Sequence, residues 1–291
     1  MAVADKYGDV TVTIGADYVA EVEIHRPPNN YFDADLIAAL SDAYEALDAE
    51  GNAVRAIVLC AEGKHFCAGA NFTGSNEAAA LPSGAGFARN LYSEARRLIE
   101  AQLPVVAAVN GAAIGGGLGL ACSADFRVGS SETRMTTNFA QLGFHHGFGL
   151  TITLPPIVGQ QRALEMLYTG RRLNGEEAHR IGLLDRFVAP EQVRAEARAL
   201  AAEIATSAPL AVRSIRATMR AGIGERYKEA TDHENIEQAR LRASISPGSG
   251  QRRKLVAMML GKPLWSLSMR PFTITNGVAR TSSRCFSCSA L

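Results

Sequence analysis

The pattern of apolar and polar positions along the 291-residue chain changes period several times. Val10–Ile14 and Val19–Ile24 alternate in part around Gly15-Ala16-Asp17, which predicts a β-hairpin. His25-Arg26-Pro27-Pro28-Asn29-Asn30 ends the second strand, because consecutive prolines cannot lie in a helix interior. Asp33 then suits an N-cap for a helix to about Ala49, with Leu36, Leu40, Tyr44 and Leu47 at helical spacing. The apolar run 56–60 predicts a buried strand that turns at Gly63. Residues 72–86 have no period and read as a loop, and 87–102 read as a helix with Phe87, Leu91, Ala95 and Leu98 on one face.

A second apolar strand, 105–109, is bounded by Pro104 and by Asn110-Gly111. Gly115, Gly116 and Gly117 follow and open a run of small residues that reads as a helix. Three adjacent glycines are costly inside a helix. At a helix start they admit a close approach of backbone to ligand and leave N–H groups unpaired. Short strands are predicted at 126–128 and 133–136. The run 154–158 precedes a helix carrying Ala163, Met166 and Leu167, and Gly175 starts a short helix. Amphipathic helices are predicted over 190–207, 209–221 and 227–243.

Two segments change this picture from a fold to a chemistry: Phe66-Cys67-Ala68-Gly69-Ala70-Asn71, and the stretch NGAAIGGGLGLACSADFRV from Asn110 to Val128. Together they resemble the crotonase (enoyl-CoA hydratase/isomerase) superfamily, and the resemblance runs from about Val10 to about Ala243. It implies an α/β fold, a spiral of ββα units with a C-terminal helical region used in trimer contacts. The implied organisation is a core over 1–188, a helical region over 189–244 and an atypical tail over 245–291. The resemblance further implies an acyl-CoA thioester whose carbonyl oxygen sits between the backbone N–H groups of Ala70 and Gly116. Donors held in place before reaction stabilise an enolate or tetrahedral oxyanion with little reorganisation. Arg26, Ala68, Ala70, Gly115 and Gly116 are expected to border the coenzyme A thioester. Coenzyme A enters as part of the substrate, with no permanently bound cofactor. A homotrimer or hexamer is implied in the same way.

The proton-transfer residues depart from the family. The hydratases of this superfamily hold water between two glutamates, and the matching positions here are Gly119 and Phe139. Neither side chain transfers a proton. Some isomerases carry an acid slightly later, where this chain has Gly147. His145 and His146, just before it, are then the best remaining proton carriers, since imidazole titrates near neutral pH. The alternative is that they line the loop or bond backbone. His65, Asp125, Asn71 and Glu94 read more simply as local hydrogen-bonding or surface groups, and His25, His179 and His233 show no constellation. The reaction classes left are double-bond isomerisation, C–C hydrolysis or lysis, or a nonstandard hydration. A non-catalytic acyl-CoA-binding homologue is the alternative.

The totals bound the partners. A net charge of +1 gives no reason to expect nucleic acid. No apolar run approaches the ~18 residues of a membrane helix. No secretory pattern precedes the first strand, and Cys60, Cys67 and Cys122 sit singly, so a cytoplasmic protein with reduced thiols is expected. No metal-ligand spacing is visible. All 29 acidic residues and 23 of the 30 basic ones lie in 1–244, leaving seven basic residues and the only tryptophan, Trp265, in 245–291. That break suggests a frame-shifted or aberrant terminus, or a basic arm.

Overall fold

A computed structural model describes residues 3–49, 53–70 and 90–244. The expectations for 72–86, for Phe87, for Asn71 and for the 245–291 tail lie outside the described residues. The strands are β1 (Lys6–Tyr7), β2 (Val10–Ile14), β3 (Val19–Ile24), β4 (Ala56–Ala61), β5 (Val105–Ala108), β6 (Ala112–Ile114), β7 (Phe126–Ser130), β8 (Arg134–Thr136), β9 (Leu173–Asn174) and β10 (Arg186–Val188). The helices are α1 (Ala34–Asp48), α2 (Leu91–Ile99), α3 (Gly116–Ser123), α4 (Phe139–Leu142), α5 (Leu150–Val158), α6 (Gln160–Thr169), α7 (Gly175–Arg180), α8 (Val193–Ala205), α9 (Pro209–Met219) and α10 (Ile223–Ser244).

Seven strands form one mixed sheet in the order β1-β2-β3-β4-β5-β7-β10. The predicted hairpin β2–β3 is antiparallel, and β3, β4, β5, β7 and β10 run parallel. A smaller sheet, β6-β8-β9, stands beside it. Strand β4 is buried along its whole length, as a parallel strand covered on both faces must be. Ile57, Leu59 and Ala61 join the main core with α1 and α2, while Ala56, Val58 and Cys60 meet Val193, Ala197 and Leu200 of α8 on the opposite face. Asp33 caps α1 as predicted, accepting from the Leu36 N–H at 2.9 Å.

The structure differs from the pattern at 150–158. The segment expected to precede a helix is itself helix α5, with Pro155 and Pro156 inside it. Prolines remove two internal hydrogen bonds there, but the N-terminal donors of α5 are held by a distant carboxylate. Glu234 of α10 accepts from the Gly149 N–H at 2.9 Å and the Thr151 N–H at 3.1 Å. Tertiary contact overrides the local breaker. Strand β6 was likewise unmarked: with three residues, it is defined by its pairing to β8.

Candidate active site

The two glycine-rich segments meet because β6 zips them together. The Cys67 N–H donates to the Ala112 carbonyl at 3.0 Å, and the Ile114 N–H donates to the Cys67 carbonyl at 3.0 Å. Gly69 has φ +94°, and a Cβ there would stand 2.8 Å from the Ile114 carbonyl oxygen, so only glycine fits. The Gly69 carbonyl accepts from the Phe32 N–H at 3.0 Å. A peptide unit is planar and trans, so the N–H of Ala70, in that same unit, points the opposite way. Ala70 itself borders the cavity.

Gly115, Gly116 and Gly117 are required for three different reasons. Gly115 is the N-cap of α3 with φ +56°, and its carbonyl accepts from Leu118 and Gly119. A Cβ at Gly116 would collide with the Phe32 ring, and one at Gly117 with the Cys67 carbonyl. Because the Gly115 carbonyl points along the helix, the Gly116 N–H in the same peptide unit points out of its start. That donor also carries the partial positive charge of the helix terminus. Ala68, Ala70, Gly115 and Gly116 therefore line one cavity.

Counted with the open space at its mouth, the cavity spans about 630 Å³. Its wall is mainly apolar, with Phe32, Phe139, Phe144 and Phe148 beside Leu91 and Leu142. The Phe32 and Phe148 rings meet edge to face at 5.2 Å. The polar side chains on the wall are Tyr92, Asn138 and Gln238. No carboxylate and no imidazole lines this cavity among the described residues. Phe148 explains one of these gaps sterically. A Cβ at Gly119 would stand 2.6 Å from the Phe148 Cβ, so the space beside α3 is filled by the ring.

The expected proton carriers lie elsewhere. Phe144, Gly147 and Phe148 turn toward the cavity, while the imidazoles of His145 and His146 are not on its wall. The two rings stack at 4.1 Å, and His233 meets His145 edge-on at 6.0 Å. His145 Nδ1 is 2.9 Å from the His146 carbonyl, and His146 Nε2 is 2.9 Å from Thr151 Oγ1. Burial, with His145 and His233 adding repulsion, pushes the His146 imidazole down to about 4. It is neutral near pH 7, so its 3.8 Å approach to Glu234 is not an ion pair there. Burial holds the Glu234 carboxyl above its ordinary range.

Arg26 is also committed. Its guanidinium pairs with Asp9 at 2.7 Å and Asp33 at 2.8 Å, which ties the start of α1 to the hairpin. Asp125 accepts from the Val105 N–H and pairs with Arg216 and Arg220, the local role expected of it. Glu94 pairs with Arg97 at 2.6 Å, and His65 accepts from the Ala112 N–H at 3.3 Å. Cys67, against the glycine loop, is fully buried, and burial pushes its thiol up to about 12. It is no nucleophile. No group of three possible metal ligands occurs among the described residues, and no described helix is long and apolar enough to cross a membrane.

The pattern did not single out Tyr92 or Gln238 for the site. One signal was present: along α10, Tyr227, Thr231, Glu234 and Gln238 recur at helical spacing and are all buried, giving a polar stripe on an inward face. Buried polar side chains need partners.

Comparison with known proteins identifies the family. The family model described as Enoyl-CoA hydratase/isomerase matches residues 15–246. The chain is 36% identical over 208 residues to a crotonyl-CoA hydratase of Syntrophomonas wolfei, covering 70% of this chain and 79% of that protein. It is 35% identical over 202 residues to a glyoxysomal fatty acid β-oxidation multifunctional protein of Cucumis sativus, covering 68% of this chain but 27% of that longer protein. Among solved structures, an enoyl-CoA hydratase/isomerase from Pseudoalteromonas atlantica superposes with a TM-score of 0.74 at 26% identity, over 88% of this chain and 98% of that one. With the paired glycine segments meeting at one aromatic cavity, the chain belongs to the enoyl-CoA hydratase/isomerase family, the crotonase superfamily.

Proposed function

We propose that this protein processes an acyl-CoA thioester by stabilising negative charge on the thioester oxygen between the N–H groups of Ala70 and Gly116. The observation that carries this reading is the orientation of the Gly69–Ala70 and Gly115–Gly116 peptide units beside one apolar cavity. Loss of an α-proton, or attack at the β-carbon, moves an electron pair onto that oxygen as an enolate. Two preorganised donors at a helix start favour that state over the neutral ester, and a donor of this kind is worth about 3 kcal/mol. Coenzyme A is substrate here, not a resident cofactor.

The reaction is not hydration by two glutamates. Gly119 and Phe139 stand at the matching positions, and Phe148 fills the space beside Gly119. Double-bond isomerisation and C–C bond chemistry are the classes left, with His145 or His146 as proton carrier only through a rearrangement that turns an imidazole inward. A second reading, a non-catalytic acyl-CoA-binding homologue, is favoured by one observation: none of the described wall residues is a carboxylate. Crotonyl-CoA hydration assayed beside a coenzyme A thioester titration separates these. Binding without hydration is the expected outcome. Hydration at rates ordinary for an efficient enzyme, roughly 10 s⁻¹ or more, refutes the departure from two-glutamate chemistry. Absence of thioester binding refutes the proposal itself.

A further inference from the structure

The phenylalanines of this protein are concentrated on one cavity. Four of the seven described ones, Phe32, Phe139, Phe144 and Phe148, line it, leaving Phe66, Phe126 and Phe187 for the rest of the fold. The main core, by contrast, is built chiefly of Val, Leu, Ile and Ala. Those aliphatic residues would serve equally well to make a cavity that is merely apolar. A ring adds a quadrupole, with a negative face and a positive edge, which tells an aromatic partner from a saturated one of similar size.

Three of the four rings crowd the peptide unit that carries the Gly116 N–H. A Cβ at Gly116 would stand 2.4 Å from Phe32 Cζ and 3.7 Å from Phe148 Cδ2, and one at Gly115 would stand 3.5 Å from Phe139 Cζ. The rings converge from separate segments: Phe32 precedes α1, Phe139 opens α4 and Phe148 precedes α5. Phe148 is placed against its local preference. Its backbone is left-handed, with φ +60°, which a bulky residue adopts only where its surroundings impose it. On one side of it Gln238, in the polar corner with Tyr92, donates to the carbonyls of 145 and 146. On the other side Glu234 accepts from the Gly149 N–H. The ring so placed is buried against Phe32 and the Gly119 backbone.

We infer that Phe148, with Phe32 and Phe139 beside it, is a specificity-determining residue that selects a thioester of the arylacetyl type, whose acyl part carries an aromatic ring on the α-carbon. The inference rests on the acyl-CoA reading given above. On that reading the thioester oxygen takes the Gly116 N–H, so the first carbons of the acyl part lie beside these rings. In an arylacetyl thioester the aromatic ring follows the α-carbon directly and meets them there. Its α-carbon also keeps the protons whose loss forms the enolate, which a ring attached straight to the carbonyl would not have. A saturated acyl group at the same place gains apolar burial alone.

The test is calorimetric titration of the full chain with phenylacetyl-CoA and cyclohexylacetyl-CoA, which share a carbon skeleton and differ in aromaticity, with butanoyl-CoA as the reference thioester. Phenylacetyl-CoA binds about 3- to 10-fold more tightly than cyclohexylacetyl-CoA, the scale of one aromatic pair beyond its area burial. Phe148→Leu keeps an apolar side chain but removes the ring, and it brings the two affinities to within about 2-fold of each other. Phe139→Leu, at the start of a short helix, also lowers the ratio. Circular dichroism shows which variants fold, and Phe139→Leu carries the test if Phe148→Leu does not. Equal affinities in the wild type, or a ratio unchanged in the folded variants, overturns the inference, while binding of butanoyl-CoA keeps the acyl-CoA reading. Failure of all three thioesters to bind overturns both.

Discussion

Gly119 and Phe148 form a steric couple at the heart of the site. With 2.6 Å between the Phe148 Cβ and any Cβ placed at 119, a longer side chain has no room without moving the ring. Gly119→Glu is therefore expected to destabilise the protein by about 1–3 kcal/mol through overpacking and to give no hydration. Adding Phe148→Ala should recover part of that loss, since residues in contact are not additive. Chemical denaturation of the two single variants and the double checks this, and full additivity would show that the two positions do not touch. His146 gives a second residue-scale prediction. Its pKa is about 6.5 unfolded and about 4 folded, so between those values the unfolded chain holds the extra proton. Its contribution to stability is complete above pH 6.5 and is lost as pH falls to 4, by up to about 3 kcal/mol. Glu234, whose carboxyl is raised by burial, works in the opposite sense. The readout is therefore the difference between wild type and His146→Gln. The variant should gain relative stability as pH falls from 6.5 to 4, and a flat difference would contradict the burial argument.

At the scale of elements, α10 is what closes the site. It packs on α2 and α5, and it delivers Glu234 to the start of α5 and Gln238 to the cavity. Glu234 is fully buried and accepts from the Gly149 N–H, the Thr151 N–H and the Thr151 hydroxyl. Removing it leaves buried donors without an acceptor at the end of a helix already weakened by two prolines. Glu234→Ala is expected to cost about 2–4 kcal/mol, with the largest rise in amide exchange over 149–153. Glu234→Gln, which keeps one acceptor oxygen, should cost less. Equal protection of 149–153 in wild type and Glu234→Ala would show that α5 does not depend on this contact.

Among the described residues, one helix carries several exposed apolar side chains. Helix α9 buries none of its residues, and it carries Leu210 at 82% exposure, Met219 at 79% and Ile215 at 64%. Apolar side chains grouped on one exposed helix favour association with a further surface. The family resemblance implies a trimer or hexamer, so light scattering should return three or six times the 31.0 kDa chain mass. Leu210→Glu with Met219→Glu should lower that mass without lowering thermal stability of the monomer core. A monomeric wild-type protein at micromolar concentration would count against the assembly.

Much of this was legible along the chain, because it is written in local backbone requirements. The hairpin needs alternation, α1 needs the Asp33 cap, and the paired donors need Gly69 and Gly115 at positive φ with small residues beside them. Those demands act over a few residues, and the glycines that meet them can be read where they stand. Gly119, Phe139 and Gly147, at the positions where the resemblance implies acids, are equally plain in the chain. What the linear pattern could not decide is which side chains fill the space those changes leave. Tyr92, Phe148 and Gln238 are separated by more than fifty residues and converge only when α10 docks. The direction of the imidazoles was decided the same way, since the carbonyls of 145 and 146 are held by Gln238 and the His146 ring is held by Thr151. Sequence alone determined the family and the glycines that its tight backbone turns require, because local φ and close approach are properties of short segments. Tertiary structure alone decided the wall of the cavity and its polar corner, because side-chain convergence is a property of long-range packing.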